Sequence, residues 1–457
     1  MMKAANALMN KKIFRLNYSV LSVLLFSLTL LASCSFFRSS GQDNVVLIIV
    51  DTLRPDRLGC YGFPLGTSPN IDKLSQEGVR FSKVATCAPV TLPSVSAILT
   101  STYPVFNNVR YNGRFFLNDS STTLAEVLKQ HGYTTAAFVG GFPLDSRFKV
   151  NQGFDSYDSD FSSSVKKKKR KWIGNEVEGF ERTAAEVNER VFPWLDANKD
   201  KKFFLMVHYF DPHWPYEPPA PYDQRFQSPY NGEVAYTDEH VGRLLEKLES
   251  LGLKDKTLIV LTGDHGEGLG AHKELTHGQF LFDTTVLVPL IMHHPRLPRG
   301  KQVDGMVKTL DIMPTILDFV DLPAPPDTQG ISLLPALKKG AHEEPALLET
   351  MLPYYETEDT HDIPVKITGL RTLEWKLVYV TLEKETGEEY VGQLYHIKRD
   401  PFEMLDVFDE NRDTFNELMN QMIALTRKYS PKGPPKLTSM EMDTQTKEKL
   451  KSLGYLK

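Results

Sequence analysis

The sequence predicts an α/β protein: a mostly parallel sheet sandwiched by helices, followed by a smaller C-terminal α+β subdomain built on an antiparallel sheet. Three observations predict it. Unbroken apolar runs at residues 45–50, 203–207 and 258–261 fit strands buried on both faces. Segments of helical periodicity lie between them, at residues 123–131 and 239–251, each followed by a glycine, Gly132 and Gly252, where a C-terminal cap belongs. Strands alternating with helices imply a parallel sheet. Beyond residue 340 the text turns acidic and proline-containing, then to short strand-like segments at 377–381 and 393–396, as an antiparallel sheet requires.

The elements follow in chain order. Residues 1–33 carry Lys3, Lys11, Lys12 and Arg15 with no acid, then a mainly apolar run of 12 residues at 20–31, too short to span a bilayer comfortably but of signal-peptide length. The run ends in Leu31-Ala32-Ser33-Cys34, which resembles a bacterial lipobox. That resemblance implies an exported protein, cleaved before Cys34 and membrane-anchored through its lipid on the periplasmic or cell-surface side. Residues 34–43 read as a tether, 44–340 as the main α/β domain and 341–457 as the C-terminal subdomain. Loss of the four cations of residues 1–33 takes the net charge from −5 to −9, which speaks against a nucleic-acid partner. Cys60 and Cys87 then remain, and a domain this long needs no disulfide framework. The basic run at residues 162–171 reads as a solvated loop, or as a contact with an anionic polymer or lipid head groups.

Each of the three apolar runs leads into groups that bind metals or move protons: the first into Asp51, the second into His208, Asp211 and His213, the third into Asp264 and His265. The carboxyl ends of parallel strands share one edge of the sheet, so these residues converge there. Asp51, Asp264 and His265 offer two carboxylates and an imidazole, a set suited to one divalent ion such as Ca, Mn, Mg or Zn. Taken singly, each Asp is as well explained as a strand-end turn. Thr91 opens residues 91–100, which read as a helix with Thr91 as N-cap and Pro93 in its first turn. A hydroxyl there also lies in a positive dipole that favours an alkoxide and an incoming oxyanion.

These residues stand in text that resembles the sulfatases from about residue 44 to 340. The matching blocks are Val50-Asp51-Thr52-Leu53-Arg54-Pro55-Asp56, Leu58-Gly59-Cys60-Tyr61-Gly62, Ser68-Pro69-Asn70-Ile71-Asp72 and Ala88-Pro89-Val90-Thr91-Leu92-Pro93-Ser94. They continue with Asp211-Pro212-His213-Trp214-Pro215-Tyr216, Glu233-Val234-Ala235-Tyr236, Gly263-Asp264-His265-Gly266-Glu267 and Val288-Pro289-Leu290. Leu394-Tyr395, Asp400-Pro401, Glu403 and Asp406 resemble the family's small terminal domain. The likeness implies an alkaline phosphatase-like fold in which Asp51, Asp264 and His265 hold the metal and Thr91 stands at the nucleophile position, touching it. It implies that Asn112, 21 residues after Thr91, donates to the transferred group, and that His213 lies near the leaving-group oxygen as a general acid. His277 falls near the family's substrate-binding Lys, with His272 and Lys273 as competitors.

The departures are as informative. Sulfatases convert a Cys or Ser in Cys/Ser-x-Pro-x-Arg to formylglycine; Thr91 cannot give that aldehyde, and the Arg position is Val95. Cys87-Ala88-Pro89 imitates the motif one turn early and makes Cys87 an alternative nucleophile. Thr52 replaces the second carboxylate of the usual Asp pair, and the family's sulfate-binding Lys and His fall near Gly140 and Phe142. A Thr nucleophile is what phosphotransferring members of the superfamily use. The expected function is hydrolysis of sulfate or phosphate esters, with transfer on cell-envelope glycolipids or polymers, or a silent binding protein on the same fold, as alternatives. The expected partner is a small-molecule, glycan or lipid ester.

Overall fold

In the computed structural model the described residues are 43–162, 170–172, 175–177, 180–340, 343–352, 365–384, 387–432 and 442–453. Cys34 and most of the basic run lie outside them. Residues Asn44–Lys457 make one compact unit.

β1 (Asn44–Val50) is the strand that the first apolar run predicts, with every residue buried. β2 (Val79–Ala85), β3 (Thr134–Val139) and β4 (Ser156–Asp158) follow; β5 (Arg170–Trp172) and β6 (Asn175–Val177) form a separate hairpin. β7 (Phe203–Tyr209), β8 (Thr257–Gly263), β9 (Leu287–His293) and β10 (Lys301–Lys308) complete the main sheet, in the order β10-β2-β9-β8-β1-β7-β3-β4. All its pairings are parallel except those of β9, which runs against both β2 and β8. β1 lies between β7 and β8, and Val50 is in register with both Tyr209 and Gly263. The residues after these strands therefore emerge side by side.

The helices longer than one turn are α1 (Pro69–Glu77), α2 (Thr91–Thr100), α3 (Leu124–Gln130), α4 (Ala184–Asn198), α5 (Pro229–Ser250), α6 (Ile312–Phe319), α7 (Arg412–Tyr429) and α8 (Thr444–Ser452). The period-two alternation of β1 divides them between the faces. Val45, Leu47 and Ile49 pack with Leu92, Val95 and Ile98 of α2 and Ile312 and Ile316 of α6; Val46, Ile48 and Val50 pack with Leu74, Val191 and Leu244 of α1, α4 and α5. Each such side chain, fully buried, contributes about 1.5–3 kcal/mol. Thr123 and Glu126 cap α3 reciprocally, and Gly132 and Gly252 adopt the left-handed backbone expected after α3 and α5. α5 begins at Pro229, a full ten residues before the periodic segment that predicts it, because its first turns are buried on both sides and carry no amphipathic signal.

β11 (Ala346–Leu352), β12 (Val365–Arg371), β13 (Lys376–Lys384) and β14 (Gly387–Tyr395) form the second sheet, antiparallel throughout. One face packs Leu347, Leu370 and Leu394 with Phe415 and Leu418 of α7, and in the same cluster lie Cys87 and Ala88, just before α2. The other packs Leu348 and Ile367 with Leu281 and Val286. Lys376, fully buried, pairs with Asp283 at 2.6 Å and Glu403 at 2.5 Å, so this sheet clamps the segments that lead to Thr91 and away from His277. Among the described residues no helix is long and apolar enough to cross a membrane.

Candidate active site and metal centre

At the carboxyl edge of β1 and β8, Asp51, Asp264 and His265 are each fully buried and bring ligand atoms within 4.8 Å of one another. Their orientation is built by the backbone. Asp264 Oδ1 accepts from the N–H groups of His265 (2.7 Å) and Thr52 (3.2 Å); among the described residues Asp264 Oδ2 and Asp51 Oδ1 have no hydrogen-bond partner. His265 Nδ1 faces the Gly266 carbonyl at 2.9 Å and must donate to it, so Nε2 presents a lone pair toward the carboxylates. That Nε2 lies 3.5 Å from Asp264 Oδ2 and 3.8 Å from Asp51 Oδ1. Burial, and next the Asp264 charge, push the Asp51 carboxyl well above its ordinary range. Two unscreened buried carboxylates facing an imidazole lone pair fit a divalent cation, which removes both penalties at once.

Thr91 is the first residue of α2, not its cap. Val90 holds the capping position, and its apolar side chain makes no cap hydrogen bond. The Thr91 hydroxyl is instead 3.3 Å from Asp51 Oδ2 and 3.3 Å from His265 Nε2. The N-cap reading fails because an N-cap oxygen folds back on its own helix, whereas this one faces Asp51 and His265. Thr52, with φ 53, turns its hydroxyl onto the Pro212 carbonyl and contributes its N–H, not its side chain, to the site.

Asn112 is 1 % exposed; its Oδ1 accepts from the Leu92 N–H at 2.9 Å, while Nδ2 has no partner among the described residues. His213 stacks on Phe210 at 4.2 Å and donates its Nδ1–H to the Trp214 carbonyl at 2.5 Å. The His277 ring lies 5.1 Å from that of His213 and 4.3 Å from that of His265. His272 points elsewhere, stacked on Phe282 at 3.6 Å, and Lys273 is exposed. Cys87 is buried and its thiol is pushed far above the ordinary range by burial, conditions hostile to a nucleophile.

Asp211, another of the strand-end set, does not join the Asp51, Asp264 and His265 cluster. Its carboxylate accepts from the Ala184 N–H at 2.7 Å and so satisfies the first turn of α4. Two further residues join the site: His208, which the sequence places among the strand-end groups, and Glu267, to which it assigns no role. His208, inside β7, lies 3.5 Å from Asp51 Oδ2, fully buried, and burial lowers it to about 4. Glu267, also buried, meets His277 Nδ1 at 3.1 Å; burial raises Glu267 to about 8 and lowers His277 to about 4. These opposed shifts favour the uncharged pairing, in which the Glu267 carboxyl donates to Nδ1 and His277 carries its proton on Nε2. A polar residue embedded in, or just after, a fully apolar strand run was the available signal for both.

The loop carrying His277 is held by Glu274, whose Oε1 accepts from the N–H groups of Gln279 (2.8 Å) and Phe280 (3.1 Å) while Oε2 has no partner among the described residues. Burial pushes this carboxyl from 4.5 up to about 8. A folded-state pKa above the unfolded one gives stability that is complete below the unfolded value and is lost as pH rises through the folded value. Glu274→Gln keeps the Oε1 acceptor and cannot ionise. Its stability relative to the parent should therefore climb between pH 5 and 9, by on the order of a few kcal/mol. Urea unfolding across that range checks it; a difference that does not change with pH contradicts it.

Comparison with known proteins agrees with this geometry. A sequence profile described as Sulfatase matches residues 43–322, and one described as N-sulphoglucosamine sulphohydrolase, C-terminal, matches residues 271–428. The chain is 27% identical over 444 residues to an uncharacterized sulfatase, YidJ, of Escherichia coli (strain K12), covering 81% of this chain and 84% of that one. It is 24% identical to the N-acetylglucosamine-6-O-sulfatase of Bacteroides thetaiotaomicron, covering 92% and 93%. The solved phosphonate monoester hydrolase of Silicibacter pomeroyi superposes with a TM-score of 0.69 at 20% identity, over 85% of this chain and 96% of that one, and shares the fold. The chain belongs to the sulfatase family of ester hydrolases, with an alkaline phosphatase-like fold.

Proposed function

We propose that the chain hydrolyses anionic esters through Thr91, with phosphodiesters and phosphonate monoesters better substrates than sulfate esters. The observation that carries this is the Thr91 hydroxyl, 3.3 Å from both Asp51 and His265, freed from capping at the start of α2. Asp51, Asp264 and His265, with Thr91, would hold one divalent ion, and that ion supplies Lewis-acid stabilisation of developing oxygen charge and lowers the pKa of the hydroxyl. Thr91 Oγ1 attacks phosphorus and its proton passes to Asp51 Oδ2, which accepts from that hydroxyl at 3.3 Å; the bond to the ester oxygen breaks, and His213, in its imidazolium form with Nδ1–H on the Trp214 carbonyl, protonates the departing alkoxide through Nε2–H. The Asn112 Nδ2–H and the His277 Nε2–H donate to the non-bridging oxygens as charge grows there. Water then attacks the phosphoryl-Thr91 ester and gives its proton to His213, and the bond to Oγ1 breaks as Oγ1 takes its proton back from Asp51. A formylglycine hydrate can expel sulfate by collapsing to its aldehyde; a threonine ester has no such exit and needs displacement at the central atom. That difference favours phosphorus. Export and anchoring through Cys34 belong to the same proposal, because they would place this site at the cell envelope, among glycolipid and polymer esters.

Turnover of aryl phosphodiesters, phosphonate monoesters and aryl sulfates, measured with Ca, Mn, Mg and Zn, tests the reading. Greater kcat/KM on the phosphorus esters supports it; turnover of sulfates alone, or of nothing, overturns it. His213→Ala should lose about 10²-fold or more on alkyl esters and far less on p-nitrophenyl esters, whose leaving group needs no proton. An equal loss on both would remove His213 from the acid's role.

A further inference from the structure

The terminal helix α8 docks beside the active site through one narrow stripe. Thr446, Lys449, Leu450 and Leu453 are buried at the spacing i, i+3, i+4, i+7, while the residues between them up to Glu448 face solvent. Asp443 Oδ1 accepts from the Thr446 N–H at 2.6 Å at the start of the helix, and Arg147 donates to the Thr446 hydroxyl at 3.0 Å. The Lys449 ammonium lies over the rings of Phe142 (4.7 Å) and Phe180 (4.5 Å).

What Leu450 touches is the turn that carries Asn112. Gly113, with φ +78, has no Cβ, and a Cβ built there would sit 2.0 Å from Leu450 Cδ1. Leu450 is 0 % exposed, and its Cδ1 lies directly against the Gly113 side of this turn. On the inner side the Asn112 amide is held at one end only, by the Leu92 N–H on Oδ1. The direction of the unpartnered Nδ2 therefore depends on the backbone of residues 111–114, and that backbone is wedged between α2 and Leu450.

We propose that α8 is a working part of the active site and that Leu450 is a positioning residue, fixing the Asn112 amide through its contact with Gly113. This rests on the reading of Asn112 as a donor to the transferred group. Leu450→Ala leaves a void where the methyl groups met Gly113, the turn relaxes into it, and the amide loses alignment in the transition state more than in the ground state.

A double-mutant cycle on the full chain, with bis(p-nitrophenyl) phosphate and saturating metal, tests this. Leu450→Ala should lower kcat about tenfold with little change in KM, and Leu450→Met should stay within about threefold of the parent. In an Asn112→Ala background, Leu450→Ala should cost less than about twofold more, because the group it positions is gone. Gly113→Ala gives a second approach to the same contact: it should lower kcat, and Leu450→Ala in that background should restore part of it. Equal losses from Leu450→Ala in both backgrounds, or none in either, overturn the inference and leave the site reading intact. A silent Asn112→Ala overturns both.

Discussion

Thr91→Ala should reduce turnover of every ester the protein hydrolyses by at least about 10³-fold while leaving the bound metal nearly stoichiometric. The two halves of this expectation separate the roles of the residue. Removal of the hydroxyl eliminates the attacking atom, and Cys87, the alternative the sequence offers, is buried with its thiol held far above the range in which it ionises. The metal platform survives, since Asp51, Asp264 and His265 are oriented by backbone groups that the substitution does not touch. Parallel steady-state kinetics and metal analysis check it; full activity would remove Thr91 from the mechanism, and loss of metal with activity would reduce it to a ligand.

Asp264→Ala should act on the other half of the site, abolishing stoichiometric metal and lowering activity by about 10³-fold or more, the loss expected when several kcal/mol of charge stabilisation is withdrawn. Chelation of the parent protein should reproduce the loss, and added divalent ion should reverse it for the parent alone. The variant also lacks the oxygen that collects the His265 and Thr52 N–H groups, so the turn after β8 loosens as the charge is removed. Elemental analysis of both proteins, with kinetics before and after chelation, decides it. A variant that keeps its metal would exclude Asp264 as a ligand.

Much of this was legible in the chain. A strand buried on both faces must be apolar throughout, so β1, β7 and β8 declared themselves, and parallel connection then forced Asp51, Asp264 and His265 to one edge before any distance was known. The antiparallel second sheet was legible from short alternating segments. Other features were not, for stated physical reasons. β9 reads as one more apolar run, and sequence carries no sign of its reversed direction. Thr91 satisfies the statistics of a cap, and only the placement of Val90 shows that its hydroxyl is turned outward from the helix to the carboxylates. Asp211 shares its neighbourhood with His213, yet the first turn of α4, remote in sequence, claims its carboxylate. Glu267 and His277 are ten residues apart in a loop without periodicity, so their hydrogen bond could not be foreseen. The same holds for Leu450 and Gly113, brought together from opposite ends of the chain.

The central claim is that Thr91 carries the transferred group. Intact-mass analysis of the protein, quenched during turnover of an aryl phosphodiester and followed by peptide mapping, tests it most directly. The account predicts a covalent adduct of the substrate's phosphoryl fragment on Thr91, absent from Thr91→Ala and lost as substrate is exhausted. Sustained turnover with an unmodified Thr91, or an adduct on another residue, would contradict it.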